Sequence, residues 1–367
     1  MGNQLAIRLK DIARELNVSA ITVSKALRGN TDISEATRQR VLTRMKELDY
    51  QPNMIARSLV TGHSSIVGLI VPDLLNPFFA ELAKSLGGGL RKQAYGLIVA
   101  SSEEDPDIEQ TEIRMMLARG VDALLISSCQ STLQGLFSVH GRLTPFVLLD
   151  RPFPQLRANF VGADDYVGGK LATEHLIEIR RRRLAYIGSP DLGPAADRFR
   201  GFRSALLDHG IELREKYIIS SQVINDPGDN LGYDMMQQLL RAKPRPTGVF
   251  CHNDIIAIGA MKATLDAGLS VPGDIAFVGF DNVRYSKYLH VPLTSIDQST
   301  SRLGETAAQL ALDLIARKIE KPKTILLAPT LVVRESTIGL KAAAKQPAVA
   351  GQPSPGEPQA RRRLTRR

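Results

Sequence analysis

Residues 18–29 read "VSAITVSKALRG", a short run with a serine near its start and a glycine at its end. Ser19 is of the type that begins helices, because its side-chain oxygen can accept from a free backbone N–H one turn further on. Val23, Ala26 and Leu27 recur at three and four positions, the spacing of a single helix face. A helix this short is marginal by itself in water, so it needs partners.

The flanking sequence supplies two. Upstream, Leu9, Ile12, Ala13 and Leu16 form the apolar face of a first helix, and Asn17 stands where a left-handed residue can end it. Downstream, Ser34 opens a third helix whose Val41, Leu42, Met45 and Leu48 complete a small core before "DYQPN" stops it. The pattern predicts an all-α helix-turn-helix head over residues 1–51. With Val23, Ala26 and Leu27 turned inward, Ser19, Ala20, Ile21, Thr22, Ser24, Lys25 and Arg28 are left outside. Hydroxyls can bond phosphates or base edges, Ala20 and Ile21 can touch thymine methyls, and Lys25 and Arg28 can reach guanine acceptors or backbone oxygens. By itself the same face also suits a plain three-helix bundle turned to water.

The next segment separates the two readings. After "QPN" comes "MIARSLVTGHSS", a short helical stretch with Asn53 as its cap and Gly62 as its stop. The whole run "IRLKDIARELNVSAITVSKALRG…ISEATRQRVLTRMKELDYQPNMIARSLVTG" resembles the DNA-binding head and hinge of the lac repressor (LacI/GalR) family of bacterial transcription regulators. The resemblance implies a hinge at residues 52–63 that folds when two subunits meet on an operator and wedges a leucine into the minor groove. Leu59 holds that position here, with Ala56 beside it. Such a wedge costs a few kcal/mol of unstacking per step, repaid by contacts that the bend permits. One departure is Arg8, standing where relatives commonly have a capping threonine.

From Ser65 onward, short apolar runs alternate with helical patterns: "IVGLIV", "GLIVAS", "DALLIS", "FVLLD", "LAYIG", "GVFC" and "IAFVGFD". Strands spaced by amphipathic helices imply βαβ units and parallel sheet. Residues 64–340 are too many for one such unit, so two α/β lobes with a cleft between them are expected. The pieces "VPDLLNPFFAEL", "VGADDYVGGKLATEHL", "DRFRGFRSAL", "HNDIIAIGAM" and "VPGDIAFVGFDN" are similar to the family's effector-binding and dimerisation body, which has a periplasmic-binding-protein-like fold. Asp73, Asp150, Asn253 and Asp281 at strand ends, with Arg198, Phe78 and Phe79, are the candidate effector contacts. Carboxylate, amide and guanidinium groups can bond vicinal hydroxyls while an aromatic face covers the C–H side of a sugar ring. Asp254 is expected to cap the helix that begins "IIAIGAM", and Phe78 can equally be core. In "IEIRRRRLAYIG", Arg180 and Arg181 replace the Gly-His pair usual in relatives, so either Arg180 takes a left-handed turn or the helix ends differently.

Charge is unevenly placed. Residues 1–62 carry ten Lys+Arg against six Asp+Glu and residues 341–367 carry seven against one, so both basic ends flank a nearly neutral body. This points the polyanion-facing work to the ends. The tail, rich in Ala, Pro, Gly, Gln and Arg, is expected to be disordered.

Other chemistries find little support. "GADDYVGGK" has Asp164 where a phosphate loop needs its first glycine, and Leu171 where Ser or Thr should hold magnesium. Six scattered histidines and two cysteines, Cys129 and Cys251, suggest neither a metal site nor a disulfide framework. No catalytic residue, cofactor or membrane partner is expected. The apolar runs fall far short of the roughly 20 residues a bilayer needs, and the N-terminus lacks a signal-peptide pattern. The expectation is therefore a cytoplasmic, homodimeric repressor that binds double-stranded operator DNA and answers to a sugar-like effector.

Overall fold

The computed structural model describes residues 7–28, 32–50, 58, 62–130, 144–153, 155–189, 193–221 and 230–338. Asn53, Ala56, Leu59 and the tail at 341–367 lie outside the described residues.

The head is three helices: α1 (Leu9–Glu15), α2 (Ala20–Arg28) and α3 (Glu35–Glu47). Two of them are capped by the expected serines, Ser19 Oγ accepting from Thr22 N at 3.0 Å and Ser34 Oγ from Thr37 N at 3.2 Å. Before α1 the direction is reversed, since Arg8 donates its backbone N–H to Asp11 Oδ2 at 2.9 Å. Asn17 takes the left-handed turn between α1 and α2, with φ 52°. Ile12, Ala13, Val23, Ala26, Val41 and Met45 make the core, with Leu9, Leu16, Leu27 and Leu48 packed around it. Leu42 does not join them. It is 39% exposed, because Val41 and Met45 share one helix face and the next residue after Val41 is turned away from it.

Two six-stranded sheets form the body. The first has β1 (Ile66–Val71), β2 (Gly96–Ser101), β3 (Ala123–Ile126), β4 (Phe146–Leu149), β5 (Asn159–Ala163) and β11 (Thr324–Leu327) in the order β11-β5-β4-β3-β1-β2. All its pairings are parallel. The second has β6 (Leu184–Gly188), β7 (Ile218–Ser220), β8 (Gly248–Cys251), β9 (Ala276–Phe280), β10 (Thr294–Asp297) and β12 (Thr330–Val332), ordered β12-β10-β9-β8-β6-β7. Only β10–β12 is antiparallel. Buried on both faces, the inner strands read as unbroken apolar runs rather than alternating ones.

Helices cover both sheets: α4 (Pro77–Arg91) and α5 (Pro106–Ala118) in the first lobe; α6 (Asp165–Glu178), α7 (Gly193–Asp208), α8 (Leu231–Leu240) and α9 (Asp254–Asp266) in the second. Helix α10 (Thr300–Ile315) returns to pack on α4, and the short α11 (Glu335–Ile338) rests on the second sheet. The chain thus passes between lobes after β5, after β10 and between β11 and β12.

The glycine pair in "GADDYVGGK" serves packing: Gly168 leaves room for the Phe280 ring, 2.6 Å from where its Cβ would lie, and Gly169 lets α6 close on α7. A Cβ on Gly169 would lie 2.1 Å from the Arg198 carbonyl oxygen, and one on Gly201 would lie 2.2 Å from that of Tyr166. The backbones touch, and only glycine leaves room. At the far end of α6, Arg180 keeps the left-handed turn with φ 64°, its N–H bonding Ile177 O and that of Arg181 bonding Leu176 O. The Cβ strain of roughly 1 kcal/mol is accepted while Arg181 ties the turn to the carbonyls of Pro272 and Gly273.

Candidate functional site

The site in the body starts from the close helix pair. Asp164 accepts from Val167 N at 3.0 Å and opens α6, which sets Asp165 in its first turn beside the crossing from the first sheet. Facing it on α7, Arg198 brings Nε to 2.7 Å from Asp165 Oδ1 and donates from Nη1 to the His252 carbonyl at 2.7 Å. The same Nη1 lies 3.8 Å from Asp281 Oδ1, and the guanidinium carbon sits 3.7 Å from the centre of the Phe280 ring. Burial alone would draw the Arg198 pKa down; the carboxylates of Asp165, Asp281 and Asp150 outweigh it and push it up. Arg198 is a permanent buried cation. Burial also pushes Asp165 up to about 7, against the downward pull of Arg198.

Asp281 follows β9 with φ 100°, and Asn282 continues at φ 50°. Two non-glycine residues in the left-handed half of conformational space mark strain held by the surroundings. Gln298 Nε2 donates to Asp281 Oδ1 at 2.6 Å and holds the carboxylate in place. Asp150 ends β4 in a similar left-handed turn, φ 59°, and burial raises its pKa despite Arg198 and Arg151.

Arg198, Asp150, Asp281 and Gln298 converge on a cavity of about 40 Å³ between the lobes, lined also by Asn76, Phe78, Phe79, Arg151, His252 and Asn253. Phe78 and Phe79 meet edge to face with centroids 5.0 Å apart. Phe78 is both core and cavity wall. Arg151 is clamped by Glu104 through two hydrogen bonds of 2.8 and 2.6 Å.

Six of the seven residues expected to contact effector line this cavity: Phe78, Phe79, Asp150, Arg198, Asn253 and Asp281. Asp73 does not belong to the lining. Just past β1, its carboxylate turns back on its own loop and accepts from Leu75 N at 2.7 Å. The reading of Asp254 is also corrected. Asn253 is the cap, its Oδ1 accepting from Ile256 N at 2.8 Å. Asp254 instead sits buried inside, taking Val283 N at 2.9 Å and the hydroxyls of Ser286 and Ser295 at 2.6 Å each. Asn76, Arg151, His252 and Gln298 were missed, although Arg151 and His252 each adjoin a residue that was read.

On the head, Ser19 and Ala20 are exposed and Ile21 is 66% exposed, while Thr22, Ser24 and Lys25 are half-buried. Arg28 ends the helix. Lys25 Nζ forms an ion pair with Asp32, a partner the sequence reading had not given it. Among the described residues no helix is long and apolar enough to cross a membrane.

Residues 8–53 match the sequence profile of the lacI family of bacterial regulatory proteins, and residues 173–337 match a periplasmic binding protein-like domain. Over 334 residues the chain is 36% identical to the HTH-type transcriptional repressor PurR of Erwinia tasmaniensis, covering 89% of this chain and 96% of that protein. The chain belongs to the lacI family. The ribose operon repressor of Haemophilus influenzae is 35% identical, covering 91% of the lacI-family chain described above and 99% of its own. Among solved structures, the lac repressor dimer bound to operator and the anti-inducer ONPF superposes with a TM-score of 0.81 at 26% identity, covering 91% of this chain and 100% of that one. A LacI-family regulator from Enterococcus faecium with bound ribose gives 0.67 at 29% identity, covering 75% and 99%. This lacI-family protein is a DNA-binding transcription regulator and not an enzyme.

Proposed function

We propose that this lacI-family regulator is a cytoplasmic homodimeric repressor whose heads read the half-sites of a near-palindromic operator and whose cavity binds a neutral, sugar-like effector. The two lobes close on that ligand and change how the hinges are held, coupling cavity to operator by about 1–3 kcal/mol. In the head, Ser19, Ala20, Ile21, Thr22, Ser24, Lys25 and Arg28 meet the major groove, and Ala56 and Leu59 the minor groove. In the body, Phe78, Phe79, Asp150, Arg198, Asn253 and Asp281 contact the ligand.

One observation carries the ligand class: both cavity arginines are already paired, Arg198 with Asp165 and Arg151 with Glu104. Asp150 and Asp281 then stand as further carboxylates in the same lining. An anionic ligand would meet neutralised cations and two acids. Hydroxyl groups suit the carboxylates, and Phe79 supports a sugar ring. The relative with bound ribose favours the same class. A melting screen of the full chain with neutral monosaccharides, sugar acids and nucleosides tests it. A neutral sugar should raise Tm and shift operator affinity; stabilisation by sugar acids or nucleosides alone would overturn the proposal.

A further inference from the structure

His252 follows β8, lines the cavity and is only 3% exposed. Among the described residues, neither its Nδ1 nor its Nε2 has a hydrogen-bond partner. Buried polar atoms left unmet are costly and rare, so a ring with both nitrogens unmet calls for a reason. The fold makes room for this ring: a Cβ on Gly188 of β6 would lie 2.7 Å from His252 Cβ and 2.8 Å from Nδ1. Burial first, then the charges of Arg198 and Arg151, hold its pKa down to about 3, so the imidazole is neutral. A neutral ring offers one donor and one acceptor, and a hydroxyl can answer either. In the same lining, Gln298 Oε1 is also buried without a partner, while its Nε2 donates to Asp281.

We propose that His252 is a specificity-determining residue of this cavity, a ring nitrogen bonding one particular hydroxyl of the effector. The inference rests on the neutral-sugar reading and adds a named reader to it. The carboxylates accept hydroxyl protons from many sugars; His252 selects among them by position.

The test uses the full chain and the variants His252→Leu and His252→Gln. Without ligand, H252L should melt at or above the parent, because the nitrogens it removes are unmet. A fall of more than about 5 °C would show the ring satisfied inside the protein and overturn the proposal. With ligand, D-ribose, D-glucose, D-galactose and D-fructose are titrated by calorimetry, followed by the monodeoxy analogues of the tightest binder. H252L should weaken that sugar by about 10- to 100-fold, the effect of one lost buried hydrogen bond. H252Q should recover part of the loss, and one deoxy analogue alone should bind parent and H252L equally. Equal affinity of H252L and parent for the sugar, or the same gap with every analogue, would overturn it. If adenosine or a sugar acid binds while no neutral sugar does, the polyol reading falls separately. H252L titrated with that compound then decides whether His252 reads the ligand.

Discussion

Arg198 Nε and Asp165 Oδ1 stand 2.7 Å apart, with both side chains almost fully buried where α7 meets α6. Removing one partner of such a pair strands the other charge and costs about 3–5 kcal/mol. Arg198→Met should lower urea-unfolding stability by about that amount, as Asp165 and Asp281 lose their cation. The double variant R198M/D165N should be less destabilised than R198M alone. If the two substitutions simply add, the pair is not coupled as described.

Gly169→Ala forces a Cβ to 2.1 Å from the Arg198 carbonyl oxygen, a backbone atom with little freedom to yield. Overpacking of this kind costs about 1–3 kcal/mol or more, and the displaced helix should also carry Arg198 out of register. Gly88→Ala serves as the control, since its Cβ would meet nothing nearer than an Arg91 nitrogen at 3.9 Å. Melting curves of the two variants should therefore move apart, G169A well below G88A.

Lys25 can give its cation to DNA only by leaving Asp32. Lys25→Ala should weaken operator binding far more than binding to random duplex, as measured by fluorescence anisotropy at fixed salt. Asp32→Asn should strengthen binding to both, since it releases the lysine and removes a negative charge, and should leave melting unchanged because exposed pairs contribute little. Equal losses on operator and random DNA for Lys25→Ala would restrict that residue to phosphate contact.

Leu59→Ala should abolish operator bending, read by energy transfer between dyes on the duplex ends, while sedimentation still shows a dimer. The unstacking at a wedged step is maintained only by an apolar side chain seated there. Unchanged bending would remove Leu59 from the minor groove.

His252 also sets a pH dependence. Its folded pKa is held to about 3, below the ordinary 6.5, so between those values the unfolded chain binds the extra proton. Stability from this group is complete above pH 6.5 and is lost as pH falls through the window toward 3. Burial pushes Asp165 and Asp254 up to about 7 and about 6, and these act in the opposite direction, favouring the fold as pH drops. Comparison with H252L cancels them. The stability of H252L relative to the parent should rise by about 2 kcal/mol between pH 8 and pH 5 in denaturant titrations, and no change would contradict the burial of a neutral ring.

Much of the fold was readable because its signals are local. Seven apolar runs coincide with β1, β2, β3, β4, β6, β8 and β9, and all of these but the edge strand β2 are almost wholly buried. Of the five strands not read, β7 has three residues, β11 is largely exposed, β10 and β12 carry Thr, Ser and Asp, and β5 starts at Asn159 and is interrupted by Gly162. Each is held by its neighbours in the sheet more than by its own hydrophobicity. Asn253 and Asp254 show the limit for single residues. Both types cap helices, and which one does so depends on where Ser286 and Ser295 come to lie.

From the sequence alone came the three-helix head with its outward face, the alternation of strand and helix behind it, and most of the polar residues that meet in the cavity. These follow from caps, periodicity and strand ends, which act over a few neighbouring residues. Tertiary structure alone decided that Arg198 and Arg151 are neutralised by Asp165 and Glu104, and that His252 and Gln298 enter the lining. Those outcomes depend on contacts between residues tens to more than a hundred positions apart, and a carboxylate or imidazole has no fixed role until burial and its nearest charges are set.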